Sequence, residues 1–239
     1  MMRKIVGEKI KSTNKDFRLR GHEVKRIEAF SDAVFAFAVT LLIVSLEVPK
    51  NFEELITTMK GFFAFGISFF LLMMIWYEQN MFFRRFALDN TFIIFLNGSL
   101  LFIVLFYVYP LKFLFTLMFN AADMGMHIEQ NQVPVLMCIY SAGYIIIYFL
   151  LFFMYLHACR KKEELELTPK ELYDTKTRMW AQLILVCIGV LCIIATFILP
   201  PKDAGSAGFI YFLIGPAFSI YFSVRGKNRR KLFDLVDAK

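Results

Sequence analysis

The feature that most constrains this chain is the length of its apolar runs. Six can be read, at roughly 27–47, 55–77, 91–118, 134–158, 179–199 and 207–224. A hydrocarbon core of about 30 Å takes roughly 20 residues of helix to cross. In lipid every backbone N–H and C=O must be paired within the segment, so runs of this length predict helices rather than strands. The residue-by-residue alternation of a membrane β-barrel is absent. Composition agrees, with 58% hydrophobic residues and 29 Phe among 239. The predicted fold class is all-α, a polytopic membrane protein with six transmembrane helices.

The basic residues predict orientation. Of 27 Lys and Arg, 23 fall in the N-terminal arm, at Arg84–Arg85, in the stretch Arg160–Arg178 and in the C-terminal tail, which are alternate connections. Lys50, Lys60, Lys112 and Lys202 remain for the other side. The positive-inside rule then places both termini in the cytoplasm, and that requires an even number of spans. The net charge of +7 is thereby mostly topology, and no basic folded domain long enough to bind nucleic acid remains. The expected organisation is a basic cytoplasmic arm at 1–26, a membrane domain at 27–224 and a basic cytoplasmic tail at 225–239. No cleavable leader is expected, because the first apolar run is long and lacks a small-residue cleavage site. The arm is either a short helix on an anionic leaflet or a solvated tail.

Chemistry of other kinds finds little support. His22, His127 and His157 share no helix face, and no H-E-x-x-H, G-x-S-x-G or phosphate-loop motif occurs. An enzyme is not expected, and neither is a cofactor or a bound metal. Cys138, Cys159, Cys187 and Cys192 lie in or at the ends of apolar runs without metal-ligand spacing, and read as reduced packing residues. In "LTPKE", Thr168 suits a helix N-cap with Pro169 at the first helical position. Pro200–Pro201 should close the fifth span, and Gly215–Pro216 should bend the sixth.

The first run, "RIEAFSDAVFAFAVTLLIVSLEVP", carries Ser31, Asp32 and Thr40 among apolar residues. At 100° per residue with Phe37 at zero, Leu41 falls at about +40°, Val44 at about −20° and Thr40 at about −60°. Asp32 falls at about −140°, nearly opposite. One stripe therefore holds Phe37, Thr40, Leu41 and Val44, and reads as either a packed interface or a pore lining. Asp32, about 9 Å along the axis from Arg26, is either interfacial or buried against other helices, with Arg26, Trp76, Gln79, Asn80 and Asn97 as partners at similar depth.

Arg26, Phe30, Ser31 and Asp32 match an R-x-x-x-F-S-D signature, followed by "TLL" at Thr40–Leu42. With Trp76 in the second run and Asn97 and Pro110 in the third, the chain resembles the transmembrane protein 175 family of potassium channels in its single-repeat prokaryotic form. The resemblance covers residues 24–224. It implies a homotetramer around a central pore lined by the first helix, in a cell (plasma) membrane, with potassium ions, the lipid bilayer and other copies of the chain as its partners. It further implies a hydrophobic constriction at Phe37, with Leu41 and Val44 as further apolar rings and Thr40 contributing selectivity. Arg26, Phe30, Ser31, Asp32, Trp76 and Asn97 would tether the first helix from behind. Two departures from the pattern stand out: Phe37 stands where the family has Ile or Leu, and Gln79 and Asn80 occupy the region where it often has His. A secondary, proton-coupled transporter and a non-conducting membrane scaffold stay open as other classes.

Overall fold

The structure, a computed structural model, describes residues 17–21, 23–44, 50–60, 62–120, 129–201 and 203–234. Among these residues every regular element is helical. In chain order they are α1 (Arg26–Val44), α2 (Phe52–Lys60), α3 (Phe62–Phe86), α4 (Thr91–Asn120), α5 (Val133–Arg160) and α6 (Pro169–Ile198). A 3₁₀ helix (Ala204–Leu213) then runs into α7 (Ile214–Arg229) and a π-helical turn (Arg230–Asp234). Five stretches are long and apolar enough to cross a membrane: Phe62–Phe86, Thr91–Leu117, Val133–Arg160, Pro169–Ile198 and Ala204–Phe233. The chain is a multi-pass helical membrane protein. At 19 residues, α1 reaches about 28 Å, close to the hydrocarbon thickness.

The second span lies further along than the expected 55–77. The described part of that run is helical over the nine-residue α2 and the 25-residue α3, and α3 continues to Phe86. Glu53, Glu54 and Lys60 make the front of that run polar, and this suits α2 to an interface rather than to lipid. Arg84 and Arg85, expected in a connection, occupy the last turn of α3, where cations complement the carbonyl end of a helix. Ala87, at φ 50°, ends that helix in the left-handed region.

The fifth span and the polar stretch before it form one helix. Thr168 caps α6 by accepting from the Glu171 N–H at 3.2 Å, while the Glu171 carboxylate accepts from the Thr168 N–H at 3.0 Å. This reciprocal capping box satisfies two otherwise orphaned donors, and Pro169 follows at a position that needs none. Pro200 and Pro201 follow the end of α6 as expected. The irregularity of the last span lies upstream of Gly215–Pro216, in ten residues of 3₁₀ helix. Pro216 falls in the first turn of α7, where a missing N–H costs little.

α5 and α6 share the most extensive helix contact, α4 packs on α5, and α1 packs chiefly on α4 and α3. The N-terminal segment is tied down from Phe17 onward. Phe17 is buried with its ring edge-on to Phe86, and the Arg85 guanidinium lies 4.8 Å from its ring centre. The Arg20 and Gly21 N–H groups donate to the Arg84 carbonyl at 3.1 and 3.0 Å. The Arg20 side chain donates to the Leu165 carbonyl at 2.9 Å and pairs with Glu171 at 3.0 Å. The segment thus straps the end of α3 to the turn between α5 and α6.

Candidate functional site

α1 has two unlike faces, and its sequence sets both. Phe35, Ala38 and Leu42 recur at helical spacing and are buried against α3 and α4, together with Glu28 and Ser31. Arg26, Ala29, Phe30, Ala33, Ala36, Phe37 and Thr40 are exposed within the subunit, and form a strip along the other side. Phe37 is 57% exposed and Phe30 63%. Leu41 stands at the margin of the strip, partly buried against the core. Val44 closes α1, and its side chain lies outside the described residues.

The buried polar face is held by a chain of hydrogen bonds across three helices. Gln79 Nε2 on α3 donates to Asn97 Oδ1 on α4 at 2.7 Å. Asn97 Nδ2 donates to Ser31 Oγ on α1 at 2.9 Å, and that hydroxyl donates to the Ile27 carbonyl at 2.7 Å. Ser31, Gln79 and Asn97 are at most 1% exposed, so each bond replaces one that water would otherwise supply. Asp32, on the flank of α1, accepts from Trp76 Nε1 at 2.7 Å. The carboxylate is therefore partnered by an indole rather than by an arginine.

Arg26 and Phe30 do not enter this network. Both are exposed on the strip, and among the described residues Arg26 has no ion-pair partner. Lys25 instead fixes the start of the helix, donating to the Ala87 carbonyl at 2.6 Å and pairing with Asp89 at 2.8 Å. Lys112 on α4 fixes the other end, its ammonium donating to the Leu42 carbonyl at 3.1 Å. A cation near the C-terminal end of a helix also interacts favourably with the negative end of its dipole. The sequence reading counted Lys112 only as an outer-side charge. What could have marked it is its isolation: it is the one charged residue between Thr91 and Asn120.

Thr40 Oγ1 donates to the Ala36 carbonyl at 2.9 Å. With its single proton turned to its own helix, the hydroxyl oxygen keeps its acceptor lone pairs for the exposed side. A second interhelical tie was absent from the sequence reading. Glu78 on α3 takes hydrogen bonds from Arg178 at 3.0 Å and Gln182 at 3.2 Å, both on α6. No group of three or more His, Cys, Asp or Glu with metal-holding geometry occurs among the described residues.

With α1 fixed at both ends and bare along one side, comparison with known proteins becomes specific. The family model described as the endosomal/lysosomal potassium channel TMEM175 matches residues 26–110, which span α1 through most of α4. A potassium channel of Marivirga tractuosa is 35% identical over 246 residues, covering 97% of this chain and 99% of that protein. A potassium channel of Chamaesiphon minutus is 33% identical over 96 residues, covering 37% of this chain and 47% of that protein. A crystal structure of a variant of the potassium channel MtTMEM175, bound to a nanobody–MBP fusion, aligns with a TM-score of 0.79 at 34% identity, covering 90% of this chain and 98% of that one. A TMEM175 homologue from Chamaesiphon minutus shares the fold, with a TM-score of 0.55 at 24% identity over 84% of this chain and 96% of that one. This family consists of ion channels rather than enzymes, and the near end-to-end match to the Marivirga tractuosa protein places the chain in it: it belongs to the TMEM175 potassium channel family.

Proposed function

We propose that four copies of the chain surround one axis and pass potassium ions passively through a pore lined by α1. The observation that carries this reading is the exposed strip on a helix otherwise tied at its back and both ends. Phe37 forms the narrowest ring, Thr40 the selectivity layer, and Leu41 and Val44 further apolar rings. Ser31, Asp32, Trp76 and Asn97 hold the helix from behind, while Arg26 and Phe30 face the same way as Phe37 at its N-terminal end. The basic ends, 1–26 and 225–239, lie in the cytoplasm, and the protein sits in the plasma membrane with α1 as its sixth span.

An apolar neck gates by dewetting: water withdraws, and an ion meets a dehydration barrier until the helices part. The lower dehydration cost of potassium then favours it over sodium, and the Thr40 oxygens offer partial replacement for the lost water. Four phenyl rings make a bulky closure. The deciding experiment is potassium flux into liposomes holding the purified protein, with sodium and a large organic cation as comparators. Potassium should enter fastest and the large cation should be excluded. Phe37→Ala should raise potassium flux about tenfold or more, the change given by about 1.4 kcal/mol off a barrier. Unchanged flux from an intact Phe37→Ala assembly would overturn the constriction.

A further inference from the structure

One cavity plays no part in the conduction reading. It lies between the end of α3, the first turns of α6 and the end of α7, has a volume of about 250 Å³, and is lined by Arg85, Arg178, Arg225 and Arg229. Among the described residues, two carboxylates pair with groups in this set of four guanidinium groups. Asp174, also in the lining, takes a two-pronged bond from Arg229 at 2.9 and 3.1 Å. Glu78 takes Arg178 at 3.0 Å. Arg225 has only neutral acceptors, Thr177 Oγ1 at 3.0 Å and the Tyr173 carbonyl at 3.4 Å, and it stacks 3.9 Å from the Tyr173 ring centre. Arg85 Nε and Nη1 are buried with no hydrogen-bond partner among the described residues.

Buried guanidinium donors left unpaired are costly, and a cluster in which Arg85 and Arg225 have no carboxylate hydrogen-bonded to them among the described residues calls for an anion. The forked, permanently charged guanidinium matches the oxygens of a phosphoryl group, and the stacked Arg225 is already ordered for such a contact. The position agrees. Arg20, Arg84, Arg85, Arg225 and Arg229 all gather at this end of the bundle. Under the charge rule that end is level with the inner-leaflet headgroups. We propose that this cavity binds a phosphoryl oxoanion, presented by an anionic lipid headgroup or by free phosphate, which hydrogen-bonds to Arg225, offsets the charge of Arg85 in the cavity wall and joins α3, α6 and α7.

The test is thermal unfolding of the full-length protein in a non-ionic detergent, titrated with inorganic phosphate or with short-chain phosphatidylglycerol. Chloride at matched ionic strength and short-chain phosphatidylcholine serve as references. The unfolding temperature should rise saturably with at least one of the two anionic probes. Saturation by phosphatidylglycerol alone assigns the lipid source, and saturation by phosphate alone at similar concentration assigns the soluble one. Arg225→Gln and Arg85→Met should each weaken the apparent affinity about tenfold or more. If Arg85→Met does not fold, Arg225→Gln decides alone. A rise no greater than that given by the references, or one that Arg225→Gln retains in full, overturns the site.

Discussion

Asn97 works with both ends of its amide, receiving from Gln79 and donating to Ser31, with all three side chains out of contact with water. Truncating it leaves a buried Gln79 donor and a buried Ser31 acceptor unmatched. A lost buried partner costs about 1–3 kcal/mol per group. Asn97→Ala should therefore lower the unfolding temperature of the purified protein by several degrees. Trp76→Phe deletes the bond to exposed Asp32 and part of the ring's packing against the core, and the bond itself should account for about 0.5–1.5 kcal/mol. A thermal shift for Trp76→Phe equal to that for Asn97→Ala would show that the exposed pair, not the buried relay, holds α1. Depth along the helices was enough to nominate Trp76, Gln79 and Asn97 from sequence. Their pairing was not legible, because it depends on how each helix is rotated about its axis. Glu78 shows the same limit. It adjoins Gln79 in sequence but faces Arg178 on α6, a direction that no local pattern encodes.

At the scale of the helices, close approach depends on two glycines. A Cβ at Gly143 of α5 would collide with the ring of Tyr107 on α4. That ring is buried, and its hydroxyl is committed to the Tyr140 carbonyl at 3.0 Å, so it has nowhere to turn. A Cβ at Gly189 of α6 would lie 2.6 Å from Ile145 Cγ1 on α5. The three-helix slab α4–α5–α6 is thus set at a spacing that glycine alone permits, as in small-residue contacts between membrane helices. Gly143→Ala should destabilise by about 1–3 kcal/mol through overpacking. Gly66→Ala on α3, where nothing lies within 4 Å, should be neutral or stabilising by up to about 1 kcal/mol. Thermal unfolding of both variants checks the pair, and an undisturbed Gly143→Ala protein would mean that α4 and α5 can separate freely. The N-cap at Thr168 was readable because its signal, Thr168 followed by Pro169, is local. The reach of α3 to Phe86 was not, since Glu78, Arg84 and Arg85 end the apolar run well before the helix ends.

For the whole molecule, the distribution of basic residues and the contacts between distant segments give the same polarity. The strap from Phe17 to Gly21, the end of α3, the turn before α6 and the end of α7 meet at one end of the bundle, through Arg20–Glu171 and the Arg84 carbonyl. Arg20 and Glu171 stand 151 residues apart in sequence, so only the alternation of charge between connections hinted at their meeting. A closed ring is the economical way to cover the bare side of α1. That side is not uniformly greasy: beside Phe30 and Phe37 it carries Arg26 and Thr40. A guanidinium facing lipid would lack a partner, and the Thr40 oxygen, whose proton is already given to the Ala36 carbonyl, would find nothing there for its free lone pairs, whereas facing an axis both meet water and ions. Cyclic symmetry with one α1 per subunit satisfies every copy alike and leaves no strip uncovered. Native mass spectrometry of the detergent-solubilised protein should accordingly find four times 27.9 kDa, plus retained lipid. On the proposed pore arrangement the Phe37→Ala variant should leave that mass unchanged, because the subunits are then held together by more than the one ring it removes. A mass of one or two subunits would leave the exposed strip facing lipid and remove the axis on which the conduction reading depends.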